Sequence, residues 1–219
     1  AQESRGLGDV YKRQTLSPLV TALPRTPARL TPTIDPTLVR RPAVAGKFYP
    51  AQAEDLAAMV DGYMQGIAPT AGRPIALIVP HAGYVYSGAV AGYAYAELRG
   101  QQYEAVILIG QNHYLSDFDG VAVYPGGAFE TPLGLVPVHA GLAQALLQAQ
   151  PALQNDPALH RLEHSLEVQL PFLQRVLPGT PIVPILIGQP TRQNTRLLSD
   201  ALAAVLPGHD VLLVASSDL

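Results

Sequence analysis

Two histidines follow apolar runs that an α/β sheet would bury. Ala76-Leu77-Ile78-Val79 stops at Pro80, and His81 comes next. Ala105-Val106-Ile107-Leu108-Ile109 leads through Gly110-Gln111-Asn112 to His113. Open α/β sheets place their ligand sites beyond the carboxyl ends of the strands. An imidazole just past a rigid strand end is held well enough to ligate a metal, so His81 and His113 are the best candidate ligand pair. The alternative is a pair of partly buried histidines satisfied by local hydrogen bonds.

Glu163-His164-Ser165-Leu166-Glu167 is a second constellation. On a helix His164 and Glu167 stand at i, i+3 and Glu163 and Glu167 at i, i+4, so they share a face. A carboxylate beside a histidine sets its tautomer and raises its basicity. His164 with Glu163 is therefore a candidate acid/base pair. Ordinary helix-start chemistry, with acids favoured by the dipole, is the competing explanation. Ser216-Ser217-Asp218 follows a fourth apolar run. No Gly-x-Ser-x-Gly elbow surrounds these serines, which argues against a serine hydrolase. Asp218 is better placed to orient or bind. Tyr84 and Tyr86 either donate phenolic hydrogen bonds to a pocket or pack as aromatics. His139, His160 and His209 fall in or beside loops and read as solvated surface residues.

The elements that must position these groups alternate between short apolar runs and helical patterns. Strands are predicted at Ile75–Val79, Ala105–Gly110, Ile182–Ile187 and Val211–Ala215. Their unbroken Ile, Val and Leu content indicates burial on both faces, hence a parallel sheet. Helices are predicted at Ala53–Gln65, from an N-cap at Ser87 to Leu98 with Gly100 as C-cap, at Ala140–Gln148, at His164–Leu177 and at Thr191–Leu206. Leu166, Leu170, Leu173 and Leu177 form a core stripe, and Pro171 inside it predicts a kink or a helix restart. Asp119 to Val138 reads as an antiparallel excursion with a hairpin. The fold class is α/β, with a mostly parallel central sheet flanked by helices.

Residues 1–38 carry Pro18, Pro24, Pro27, Pro32 and Pro36 and show neither helical nor strand periodicity. They read as a disordered or non-native leader, and 39–219 as the domain. The chain stops just after the fourth strand, so the domain is expected to be a C-terminally truncated fragment.

Composition narrows the chemistry. The 219 residues include no cysteine, which removes disulfides, thiol nucleophiles and thiolate ligands. A metal here would have to use His, carboxylate, backbone or water. The formal net charge is −3 and no basic stripe exists, so nucleic acid is not the expected partner. No apolar run approaches the roughly 20 residues of a membrane span. No basic start with an apolar centre marks a secretory signal. A cytoplasmic location is the default expectation.

Taken jointly, Pro80-His81-Ala82-Gly83-Tyr84, Ile109-Gly110-Gln111-Asn112-His113, Glu163-His164-Ser165-Leu166-Glu167-Val168-Gln169-Leu170-Pro171-Phe172-Leu173 and Ser216-Ser217-Asp218-Leu219 resemble the Memo family in order and spacing. Ala45-Gly46-Lys47-Phe48-Tyr49-Pro50 and Phe129-Glu130-Thr131-Pro132-Leu133-Gly134 match as well. In bacteria and archaea that family is protein B of the AmmeMemoRadiSam system. The resemblance implies an architecture like the LigB-like class III extradiol dioxygenases. It puts metal ligands at His81 and His113 and catalytic groups at His164, Glu163 and Asp218. Tyr84, Asn112, Glu167 and Ser217 become the expected pocket residues. Fe(II) is the implied metal, with copper as a second candidate. The family's third metal position would lie two residues past Asp218, beyond Leu219, so a full 2-His-1-carboxylate set is not visible. Two roles follow. One is a metal-dependent, dioxygenase-like redox enzyme or subunit with AMMECR1-like and radical SAM companion proteins. The other is a non-catalytic adaptor that binds a small molecule or peptide, as the animal homologue is described to bind phosphotyrosine peptides.

Overall fold

The computed structural model describes residues 34–70 and 72–218. Most of the expected leader, residues 1–33, and the final Leu219 lie outside the described residues. A short 3-10 turn at Pro36–Leu38, capped by the Asp35 carboxylate, leads into β1 (Val39–Arg40).

Helix α1 is Ala53–Met64, followed by β2 (Ala76–Pro80), α2 (Tyr84–Ala96) and β3 (Ala105–Gln111). Strands β4 (Val121–Val123), β5 (Ala128–Thr131) and β6 (Gly134–Pro137) form the predicted excursion. Helix α3 (Ala140–Ala149) precedes a 3-10 turn at Glu167–Gln169 and α4 (Leu170–Val176). Strand β7 (Ile182–Ile187), α5 (Arg192–Val205) and β8 (Val211–Ser217) complete the order.

Five strands form the main sheet in the order β2-β8-β3-β7-β4. The first four run parallel, and β4 joins β7 antiparallel. Strands β1, β5 and β6 make a separate small sheet. The central strands β3 and β7 are covered on both faces, as their apolar runs require, whereas the edge strand β2 departs from the expected two-sided burial, with Ile78 67% exposed. Val79, Val106, Leu108, Ile182, Leu186, Leu212 and Val214 pack with residues of α1, α2 and α4 on one face. Ile107, Val123, Val183 and Ile185 pack with α3 and α5 on the other. Each fully buried Leu or Ile contributes roughly 1.5–3 kcal/mol.

The predicted leucine stripe is buried throughout. Pro171 sits in the first turn of α4, where its missing N–H costs nothing, so it restarts the helix after a 3-10 turn. The start of α2 differs from the sequence expectation. Its N-cap is Gly83, and Ser87 lies one turn inside, its hydroxyl donating to the Ala82 carbonyl at 3.0 Å. Starting one turn earlier brings the helix directly under the His81 turn. Helix α2 also lies very close to α1: side chains at Gly88 or Gly92 would collide with Tyr63.

Candidate metal centre

Parallel pairing brings His81 and His113 together from different strands. Strand β8 lies between β2 and β3, and the His81 N–H donates to the Ser217 carbonyl at 3.1 Å. The rings of His81 and His113 stand 4.9 Å apart, centroid to centroid. His164 completes the group, 5.5 Å from His81 and 4.5 Å from His113. One ring nitrogen from each of the three falls within 4.8 Å of the others. This group could hold a metal ion.

The nitrogens are available for that role. His81 Nε2 and His164 Nδ1 are buried without hydrogen-bond partners. An isolated buried imidazole nitrogen is costly, and a metal would satisfy it. His81 Nε2 lies 3.8 Å from Asp218 Oδ1, beyond hydrogen-bond reach, and the Asp218 side chain is 77% exposed. His164 Nδ1 approaches Glu163 Oε1 at 3.4 Å without making a hydrogen bond. Burial, reinforced by the neighbouring imidazoles His113 and His164, pushes His81 below the usual histidine range. Burial lowers His164 too, against the opposing pull of Glu163. Both rings are therefore biased toward the neutral form that metal ligation needs.

Glu163 orients the centre. Its Oε1 accepts from His113 Nδ1 at 2.9 Å and from the Ser165 N–H at 2.8 Å; its Oε2 accepts the His113 N–H at 2.7 Å. Burial alone would raise its pKa, but the Ser165 and His113 donors outweigh burial and hold it below the ordinary carboxylate range. An ionised Glu163 only accepts, so His113 Nδ1 carries the proton and Nε2 is left for a metal.

Glu167 was expected in the pocket, but its carboxylate faces the opening segment of the domain. It pairs with Arg40 and accepts from Ala43 N at 2.8 Å, Val44 N at 3.0 Å and the Tyr49 hydroxyl at 2.5 Å. Arg40 in turn donates to the carbonyls of Glu163 at 2.5 Å and His160 at 3.2 Å. This buried network braces the loop that carries Glu163 and His164.

Tyr84 also points away from the cluster. It packs on Tyr49, Tyr63 and Phe172 and donates to the Val168 carbonyl at 2.7 Å. Asn112 closes its own turn, accepting from Leu115 N at 3.1 Å and donating to the Leu115 carbonyl at 2.7 Å. Ser217 contributes its backbone carbonyl, while the hydroxyl that reaches His81 belongs to Ser216, 3.1 Å from Nδ1. Alternation explains the swap. Leu212, Val214 and Ser216 share the face covered by α1, α2 and α4, and Ser217 belongs to the other parity.

Three further residues at the cluster had no expected site role, although Phe48 and Gln169 stand inside the motifs that carry the family resemblance. Phe48 packs on His164 at 4.8 Å, Tyr114 meets the same ring edge-on at 5.7 Å, and Gln169 bonds Ser216 Oγ at 2.9 Å. The weak sequence signal for Gln169 was its place on the buried side of the leucine stripe. Gly110 is required by close approach, because a Cβ there would run into Ser165 Oγ and Leu166.

Two loop histidines depart from the solvated reading. His160 is buried against Tyr124 and Phe129, with neither ring nitrogen bonded. The 3-10 turn at Pro157–His160 folds inward because Arg40 takes its carbonyl. His139 caps α3, its Nδ1 accepting the Leu142 N–H at 3.1 Å. His209 is exposed as expected, 3.0 Å from Glu104.

Among the described residues no helix is long and apolar enough to cross a membrane.

Comparison with known proteins matches the sequence that carries this cluster to a family. A family profile described as Memo-like protein matches residues 40–219. The chain is similar to a MEMO1 family protein of Pyrobaculum arsenaticum, 39% identical over 82% of this chain and 68% of the relative. A MEMO1 family protein of Aquifex aeolicus is 40% identical over 83% and 67%. One of Thermotoga maritima is 38% identical over 82% and 69%. Residues 40–219 contain all three cluster histidines, and the chain belongs to the Memo-like protein family.

Proposed function

We propose that this chain is a metal-dependent redox enzyme or subunit that takes Fe(II), with copper as the second candidate, at His81 and His113, with His164 beside them as the acid/base. One observation carries the reading: three imidazoles converge within 4.8 Å, and two of them present buried ring nitrogens with no protein partner. When bound, such an ion supplies Lewis-acid and one-electron chemistry toward an oxygen-bearing ligand. His81 and His113 bind it, each held by its own strand end. Glu163 fixes the His113 ring through Nδ1. His164 has no such fixed partner at Nδ1, so it can hold or move a proton there. Phe48 and Tyr114 cover His164 with ring surface that shields it from water and offers a flat apolar contact to a substrate. Asp218, exposed beside His81, is placed to bind or orient that substrate. A place in the AmmeMemoRadiSam system, with AMMECR1-like and radical SAM companions, and a cytoplasmic location belong to this proposal through family membership.

A second reading is a non-catalytic pocket for a small molecule or peptide. It is favoured by the absence, among the described residues, of a buried carboxylate free to ligate. Glu163 is spent on His113 and Ser165, and Asp218 lies at the solvent edge. Anaerobic Fe(II) titration followed by oxygen uptake with a catecholic substrate separates the two. Stoichiometric metal with substrate-dependent oxygen uptake supports the enzyme. Metal without turnover supports the binding role. No metal binding, or binding that His81→Ala and His113→Ala leave unaffected, overturns the centre itself.

A further inference from the structure

A buried hydrogen-bond chain behind His81 determines which of its nitrogens is bare. Gln169 Nε2 stands 3.0 Å from the Pro80 carbonyl and 2.9 Å from Ser216 Oγ, and its Oε1 receives the Tyr95 hydroxyl at 2.8 Å. A carbonyl only accepts, so the amino end of the amide must face Pro80. Its second hydrogen then goes to Ser216 Oγ. The Ser216 hydroxyl has one hydrogen, which goes to the Ser165 carbonyl at 2.6 Å. A hydroxyl has two acceptor positions and one donor. The donor is used on Ser165, and one acceptor is filled by Gln169. The position facing His81 Nδ1, 3.1 Å away, can only accept. His81 must therefore bring the proton on Nδ1, and its buried Nε2 carries a free lone pair.

We infer that Ser216, saturated by Gln169 and Ser165, is a positioning residue that locks His81 in the Nδ1–H tautomer and leaves Nε2 as the donor atom of the three-histidine cluster. The inference rests on the proposed metal role for its purpose but not for its geometry. Four separate stretches of chain converge on one hydroxyl: the end of β2, the 3-10 turn before α4, the loop at Ser165 and the end of β8. Through Gln169 the lock reaches Tyr95 in the core of α2, so His81 is tied to the rigid interior. His81 and His113 thereby use the same device with different chemistry. A carboxylate holds His113 in the Nδ1–H form, and a hydroxyl with no remaining proton to offer holds His81 in the same form. His164 has neither at Nδ1, which separates two preset ligands from one ring that remains free to exchange a proton.

The test reads the tautomer directly in the metal-free 219-residue chain, by long-range proton–nitrogen correlation on protein labelled with nitrogen-15 histidine. Wild-type His81 is expected as the Nδ1–H form. Ser216→Ala is expected to give a mixed or Nε2–H signal, and Ser216→Thr, which keeps the hydroxyl, to restore the wild-type pattern. In parallel, Fe(II) titration is expected to weaken about 10–100-fold in Ser216→Ala and to recover in Ser216→Thr. A wild-type His81 protonated at Nε2, or an unchanged tautomer in a folded Ser216→Ala chain, overturns the inference. If Ser216→Ala does not fold, the wild-type spectrum still tests the lock, which fails if His81 carries its proton on Nε2. An Nδ1–H signal that responds to Ser216 in a protein that binds no Fe(II) upholds the tautomer lock and removes the metal role instead.

Discussion

Glu163 grips His113 at two points, the ring through Nδ1 at 2.9 Å and the backbone N–H at 2.7 Å. One carboxylate thus fixes both where the residue sits and how its imidazole is turned. Glu163→Gln keeps the shape but replaces one acceptor oxygen by an amino group facing donors. Fe(II) affinity in an anaerobic titration should fall about 10–100-fold, with circular dichroism unchanged. Unaltered affinity would mean that His113 does not ligate through a ring set by Glu163.

Arg40 and Glu167 form a buried pair 127 positions apart in sequence. Removing one partner leaves an uncompensated charge and frees the loop bearing Glu163 and His164. Arg40→Met should cost about 3–5 kcal/mol in urea unfolding. The double variant Arg40→Met with Glu167→Leu should be less destabilised than the sum of the two single variants, because neither charge is then stranded. Strict additivity would show that the two side chains do not act as a pair.

His160 supplies an acid sensitivity. Burial, aided by the nearby Arg40 cation, pushes it down to about 3. The unfolded chain therefore binds a proton near pH 6.5 that the folded chain refuses until far lower. Stability from this residue is intact above about pH 6.5 and declines as pH falls toward 3, by about 1.4 kcal/mol per pH unit. His160→Leu removes the titration. Its unfolding free energy, followed from pH 7 to pH 4, should fall less steeply than that of the wild type. Parallel curves would place the acid sensitivity elsewhere.

Gly110 marks where β3 passes under the Ser165 turn. Gly110→Ala forces a methyl group against Ser165 Oγ and Leu166, at a cost of about 1–3 kcal/mol. Because Ser165 is bonded to Glu163 and Ser216, metal affinity should drop in the same variant. A thermal shift without any loss of Fe(II) binding would show that the turn moves independently of the histidines.

Local chemistry determined much of this protein. Runs such as Val106-Ile107-Leu108-Ile109 had nowhere stable to go except a sheet covered on both sides, so four parallel strands were legible with their boundaries to within two residues. Pro171 dictated a helix restart because its ring excludes the preceding turn's hydrogen bond. His81 and His113 were readable as neighbours because parallel strands bring their carboxyl ends to one edge. What tertiary structure alone decided is which polar groups face one another. Strand β8 enters between β2 and β3, a pairing over more than a hundred residues with no local signature. That insertion, together with a strand end two residues later than expected, puts Ser216 rather than Ser217 behind His81. Glu163 and Glu167 look alike in sequence, yet one meets His113 and the other is buried under Arg40. A short polar side chain carries no periodic pattern, so its role depends on which distant donors the completed fold sets within hydrogen-bond reach.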